Sequence, residues 1–255
     1  MTRPPQGRRR GRRKERWPPF GAAVRALLSA VLRLALVVAA AGITAVTSLR
    51  WIDPVTSSLI LQTNLAARMQ FAGADAPPWV SFTWRPLAQI SPHMAAAVIA
   101  AEDQRFARHH GLDFVELSKV LRAGEKRPRG ASTITQQVAK NLFLWGGRSY
   151  LRKALEAGLA VYIDRVWGKR RVLEIYLNIA QFGAAIYGVE NASRRFFGKP
   201  AADLNRFEAA RLAAVLPNPA YRSATNASAT VLRRQRWILE QMKALGEVRW
   251  VDRLR

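Results

Sequence analysis

The chain has 255 residues, 49% of them hydrophobic, and 41 Lys and Arg against 17 Asp and Glu give it a net charge of +24. It contains no Cys and only three His, which excludes disulfides, thiolate metal sites, Cys nucleophiles and a multi-histidine metal cage. The apolar content suits an ordinary core, so the cationic bias points to an anionic partner: acidic lipid, nucleic acid or a phosphorylated substrate.

Residues 1–20 read as a basic tail, rich in Arg up to Arg16, and 24–49 as a transmembrane helix rich in Ala, Val and Leu. Between Phe20 and Arg50 only Arg25 and Arg33 carry charge. The uncharged run after Arg33 is shorter than the ~20 residues that span hydrocarbon, and a snorkelling Arg33 lengthens it. Trp17 and Trp51 flank the segment as interfacial aromatics. The basic tail places the N-terminus in the cytoplasm and everything after Trp51 outside, as a single pass. A cleaved signal peptide and a buried soluble helix are the alternatives.

Residues 50–86 form a membrane-proximal segment and connector. Within it, 53–70 predicts a short amphipathic helix with Leu59, Ile60, Leu65 and Met69 on one side, riding on the membrane surface. The stretch AGADAPPWVSFTWRPL, with Pro77, Pro78 and Pro86, reads as extended. From residue 87 to 255 the pattern is helical. Ser91 caps a helix with Pro92 in its first turn, and the Ala-rich run after it ends in Glu102-Asp103. A break at His110-Gly111 precedes a helix over 113–123, and RAGEKRPRG makes a mobile basic loop. Further helices are predicted over 132–143, 149–167, 169–179, 184–196, 204–215 and 227–245, with strand signals nearly absent. The fold class is all-α.

Three segments carry more polar chemistry than packing requires. In GASTITQQVAKNLFL, Ile134, Val138, Leu142 and Phe143 keep a helical period, leaving Ser132, Gln137, Lys140 and Asn141 for another face. Thr133 followed by Gln136 fits a capping box, which alone would mark an ordinary helix. In EDQRFARHHG, Glu102 emerges at the rim of an apolar core, where partial desolvation tunes a carboxylate toward general-base work; a solvated acidic face is the plainer reading. In SYLRKALEAGLAVYID, Ser149 caps a helix whose buried stripe is Leu151, Leu155, Leu159 and Tyr162. Arg152 and Glu156 flank that stripe, either as a plain i,i+4 pair or as a pair pointing into a cleft.

Together and in order, EDQRFARHHGLD, GASTITQQVAKNLFL, RKALE, EIYLNIAQFGAAIYGVENASRRFFGK and FEAARLAAVLPNP resemble the motif set of glycosyltransferase family 51 across about residues 80–220. The resemblance implies a lysozyme-like helical catalytic domain behind one N-terminal transmembrane helix, and a monofunctional enzyme, since no transpeptidase domain fits in the residues left. Its implied activity is polymerisation of lipid II into β-1,4-linked glycan, with inversion at the MurNAc anomeric carbon and release of polyprenyl diphosphate. By motif position Glu102 matches the general base and Glu156 the second essential carboxylate. Ser132, Gln137, Lys140, Asn141 and Arg152 match positions that hold diphosphate and sugars, while Asp103, Phe106, His109, Gly130 and Thr133 match residues that shape the cleft. Ala131, Asp164 and Gln181 depart from the common pattern, where many members have Gly, Glu and Glu.

The chemistry suits this set. A sugar diphosphate leaves as a stable anion, so cations replace the acid that a glycoside hydrolase supplies. No dedicated metal site is expected and no cofactor is certain; a divalent cation, Mg or Mn, at the diphosphate is left open. Expected partners are lipid II, the growing glycan, membrane lipids, and cell-division or elongation proteins. The rivals are a lytic, lysozyme-like transglycosylase and a membrane-tethered polyanion-binding protein. The cation set opposes the first; the lack of an interleaved aromatic and basic motif opposes the second, and nucleic acid is not expected as a partner.

Overall fold

The computed structural model describes residues 20–71, 77–122, 132–147 and 149–246. The loop expected after Arg122, and with it Gly130, lies outside the described residues. The chain divides into two compact units, Met1–Ala45 and Val46–Arg255.

In the first unit the long helix α1 (Phe20–Ser48) keeps its side chains exposed, Leu27 and Leu34 at 65% each, and the segment Gly21–Ser48 is long and apolar enough to cross a membrane. A helix pairs its interior backbone donors and acceptors within itself, as a bilayer demands, and at this length its unpaired ends fall outside the hydrocarbon.

The second unit begins with the last turn of α1 and is all-α apart from one short hairpin. It contains α2 (Ser58–Gln70), α3 (Pro92–Glu102), α4 (Phe114–Arg122), α5 (Ile134–Phe143), α6 (Tyr150–Ile179), the antiparallel pair β1 (Gln181–Gly183) and β2 (Ile186–Tyr187), α7 (Val189–Phe197), α8 (Arg206–Val215) and α9 (Ala229–Ala244). α3 is buried along nearly its whole length and packs against α8 and α9, while α5 lies along α6. Ala dominates α3 because a helix surrounded by others needs side chains small enough for close approach.

Several boundaries differ from the sequence expectation. The two helices predicted over 149–167 and 169–179, by contrast, are both present within α6, separated by a break at Gly168, whose φ of 75° suits a residue without Cβ. The helix predicted from 184 starts at Val189, because 181–187 pairs as the β1–β2 hairpin. The segment is too short for a period-two pattern to be legible. Ser91 does not cap α3 with its side chain; its hydroxyl donates to the Leu204 carbonyl at 2.6 Å and ties α3 to the approach of α8. The expected stripe of α2 splits: Ile60 and Asn64 are buried, while Leu65 and Met69 are 49% and 89% exposed. Asn64 turns inward because its amide brackets Val80, donating to its carbonyl and accepting from its N–H.

The largest correction concerns α6. Leu151 and Leu155 are 67% and 43% exposed, and the buried face is Glu156, Ala160, Ile163 and Trp167. This face meets α5, and a charged residue can occupy it because Glu156 is fully paired. Further along α6, the chain leaving α1 is pinned: the Trp167 indole donates to the Val46 carbonyl, Tyr162 and Thr47 hydroxyls pair at 2.7 Å, and Arg171 reaches the Leu49 and Ile52 carbonyls and Asp53.

Candidate active site

α5 and the start of α6 form one wall of a cleft of about 450 Å³, lined by Gln137, Lys140, Asn141, Arg152 and Tyr176 among others. Local rules hold α5 in place. Thr133 and Gln136 complete the expected capping box, and the Thr133 hydroxyl donates to the Gly111 carbonyl at 2.6 Å. Gly111 has φ 84°, and a Cβ there would meet the Ala160 carbonyl oxygen at 2.5 Å, so only glycine permits this approach to α6.

Glu102 ends α3 with its side chain 15% exposed. Gln137 donates its amide to Oε2 at 3.0 Å, and that amide is itself held by the Tyr176 hydroxyl, which donates to Gln137 Oε1 at 3.2 Å. A guanidinium absent from the sequence expectation, that of Arg234 on α9, lies 3.3 Å from Oε1. Burial pushes the Glu102 carboxyl above the ordinary range; Gln137 and Arg234 oppose the rise and the neighbouring Asp103 charge adds to it. Burial also raises Tyr176 well above the ordinary phenol value, with the charges of Glu102 and Asp103 acting in the same direction, so its hydroxyl stays a donor at neutral pH.

The second carboxylate has different company. Glu156 is 3% exposed and accepts from Arg152 at 3.1 Å and from Lys153 at 2.5 Å. Lys153 also donates to Ser132 Oγ at 3.0 Å, so Ser132 joins this network. Lys140 points toward solvent at the cleft, yet the surrounding protein lowers its ammonium pKa; Glu156 and Glu102 oppose the fall, and the charges of Arg152 and Lys153 reinforce it. An anion placed among Lys140, Arg152 and Lys153 relieves their mutual repulsion.

Four expected residues stand behind the wall instead of on it. Asp103, Phe106, His109 and Thr133 are buried. Asp103 accepts the Ile134 N–H at 3.0 Å at the first turn of α5, and His109 Nε2 lies 2.9 Å from the same carboxylate, so the residue beside Glu102 bolts α3 to α5. Phe106 receives the Lys169 ammonium over its ring at 4.6 Å. Asp103, His109 and Asp113 sit close enough to hold an ion, but these groups are engaged with one another, with Arg105 and with backbone N–H groups.

Sequence reasoning missed Arg234 and Tyr176. Lys153 was legible as one more charge beside Glu156. Arg234 lies in a helix whose basic residues look like a solvated face, and nothing local marks the one that turns toward Glu102.

The helical cleft thus places Lys140 and Arg152 beside Gln137, which holds the desolvated carboxylate of Glu102. A family model described as transglycosylase matches residues 73–243. The chain is 57% identical over 166 residues to the biosynthetic peptidoglycan transglycosylase of Salmonella agona (strain SL483), covering 64% of this chain and 69% of that protein. It is 56% identical over 166 residues to the protein of the same name from Escherichia coli (strain K12 / DH10B), with the same coverage. A third, from Cronobacter sakazakii (strain ATCC BAA-894), is 56% identical over 165 residues, 64% of this chain and 68% of that protein. The chain belongs to the transglycosylase family.

Proposed function

We propose that this protein is a peptidoglycan glycosyltransferase that polymerises lipid II at the outer face of a bacterial cytoplasmic membrane, with α1 as its single anchor and the basic tail in the cytoplasm. The observation that carries the reading is a proton-avid carboxylate, Glu102, 15% exposed and held by Gln137, which lines one cleft with Lys140 and Arg152 on two successive helices. Relatives named as biosynthetic peptidoglycan transglycosylases support it.

In the reaction Glu102 accepts the proton of the acceptor GlcNAc 4-hydroxyl as that oxygen attacks the MurNAc anomeric carbon of the growing chain. The anomeric carbon–oxygen bond breaks on the opposite face, and the electron pair leaves with the polyprenyl diphosphate. The linkage is inverted from α to β. Arg152 offers a planar fork and Lys140 a point charge to the departing diphosphate, with Asn141 and Ser132 beside them. Glu156 does no proton transfer in this scheme. With both oxygens engaged by cations, it aims them at the leaving group.

Among the described residues the cleft supplies cations and no unpaired carboxylate on the diphosphate side, a donor set that does not suit a cage for a divalent ion. Mg or Mn accompanying the diphosphate would draw its ligands from the substrate. Leu59 at the cleft and the exposed Leu61, Leu65 and Met69 on α2 favour contact with the outer leaflet, where the prenyl chain must enter.

Incubation of the purified full chain with lipid II tests the reading. Polymer with release of undecaprenyl diphosphate is the expected result; no polymer, together with cleavage of finished cell wall, would replace it with the lytic alternative.

A further inference from the structure

The base is held from a helix that lies beyond the motif-bearing stretch. One nitrogen of Arg234, Nη2, stands 3.3 Å from Glu102 Oε1 and 3.2 Å from the Ala101 carbonyl, so a single guanidinium straddles the last turn of α3. A cation is favoured there by the unpaired carbonyls of a helix C-terminus as well as by the carboxylate. The side chain is 29% exposed and its guanidinium lies 5.7 Å from the Trp237 ring centroid, which limits its freedom. The backbone beneath it is fixed: Val231, Ile238 and Met242 are buried, and Gln235 donates to the Phe207 carbonyl at 2.7 Å, fastening α9 to α8.

Other groups facing Glu102 do not substitute for it. Gln137 is neutral, Asp103 repels, Tyr176 is a buried phenol committed to Gln137, and Lys140 interacts with Glu102 only as a distant charge. Arg234 makes the one ion pair of Glu102 among the described residues.

Resting on the glycosyltransferase reading above, we infer that Arg234 is a positioning residue for the base: it and Gln137 each take one oxygen of Glu102, presenting the carboxylate to the acceptor hydroxyl in one orientation and keeping it ionised at neutral pH. A single contact at 3.3 Å suits the task, since a tight bidentate pair would remove the proton affinity a base needs.

The test uses the full chain with lipid II. Arg234→Met removes the charge and keeps an apolar stem against Trp237; Arg234→Lys keeps the charge but not the two-acceptor reach. For the Met variant the acidic limb of the kcat profile moves upward by about one pH unit, so a pH on that limb shows about a tenfold lower rate, with recovery above it and KM unchanged. The Lys variant keeps the limb near the wild-type position with a lower plateau. The Glu102 carboxyl is also titrated directly, by infrared difference against Glu102→Gln. This readout holds whatever the substrate proves to be, and it shifts upward in the Met variant. An unmoved carboxyl titration overturns the inference, as does an equal loss at every pH with raised KM. Should the Met variant fail to fold, a wild-type plateau in the Lys variant overturns it and a lowered plateau at an unmoved limb supports it.

Discussion

Two carboxylates stand beside the cleft, Glu102 at the end of α3 with 15% of its side chain exposed and the buried Glu156 in the second turn of α6, and they live in opposite surroundings. Glu156 has a cation on each oxygen. Glu102 has one neutral donor, one longer contact to a guanidinium, and little water. The pairing of Glu156 with a cation on each oxygen fixes the directions of Arg152 and Lys153. Burial of Glu102 raises its proton affinity, as the proposed base role requires. Neighbours alone thus give two residues of one type different surroundings.

Exchanging a charge for an amide at each site breaks the comparison most directly. Glu102→Gln removes the base and is expected to lower polymerisation by about 10²–10⁴-fold or more, with lipid II binding retained in a filter or fluorescence assay; appreciable turnover would return Glu102 to an acidic rim residue. Glu156→Gln leaves buried Arg152 unpaired and is expected to destabilise the fold by about 3 kcal/mol in urea unfolding, the low end for a broken buried pair because Lys153 is half exposed. Its loss of rate should accompany a raised KM and an unchanged pH profile. A shifted acidic limb instead would mean that Glu156 titrates in the reaction.

Smaller effects sharpen the contrast. Lys140→Ala and Arg152→Ala each remove a preorganised cation and should cost about 2–4 kcal/mol of transition-state stabilisation, read from kcat/KM; wild-type rates would leave Arg152 as an intrahelical ion pair only. Tyr176→Phe frees the Gln137 amide to turn and should cost about 1 kcal/mol in the same measurement. The smallest effect is on stability. Because burial raises the folded-state pKa of Glu102, the folded protein holds this proton more tightly than the unfolded chain does. The contribution favours folding at low pH and is lost as pH rises from the unfolded value into the raised one. At pH 8, Glu102→Gln should therefore unfold at a slightly higher temperature than the wild type, and at pH 4 the difference should vanish.

Much of the architecture was legible in local pattern. The capping box at Thr133 and Gln136, the Ser149 cap, the Ala-rich α3 and the long apolar α1 all involve residues within a turn or two of one another, and all are present. The faces were less legible than the elements. In α6 the apolar residues Leu151 and Leu155 suggested a buried stripe, yet α5 selects the neighbouring face, where a charged side chain can be buried because i−3 and i−4 cations reach it. In α2 a polar Asn64 turns inward ahead of Leu65 because the backbone at Val80 needs its amide.

Local pattern makes the chain helical and its first long helix predominantly apolar, and it sets Glu102, Lys140, Arg152 and Glu156 at motif positions on helices. These are matters of period, caps and composition, and neighbours along the chain decide them. Only the tertiary structure decided which carboxylate is neutralised and which is left poised. The decisive partner, Arg234, is 132 residues from Glu102 along the chain, and packing of α9 across α3 brings them together. Burial and pairing set a carboxylate's proton affinity, and both belong to the assembled core.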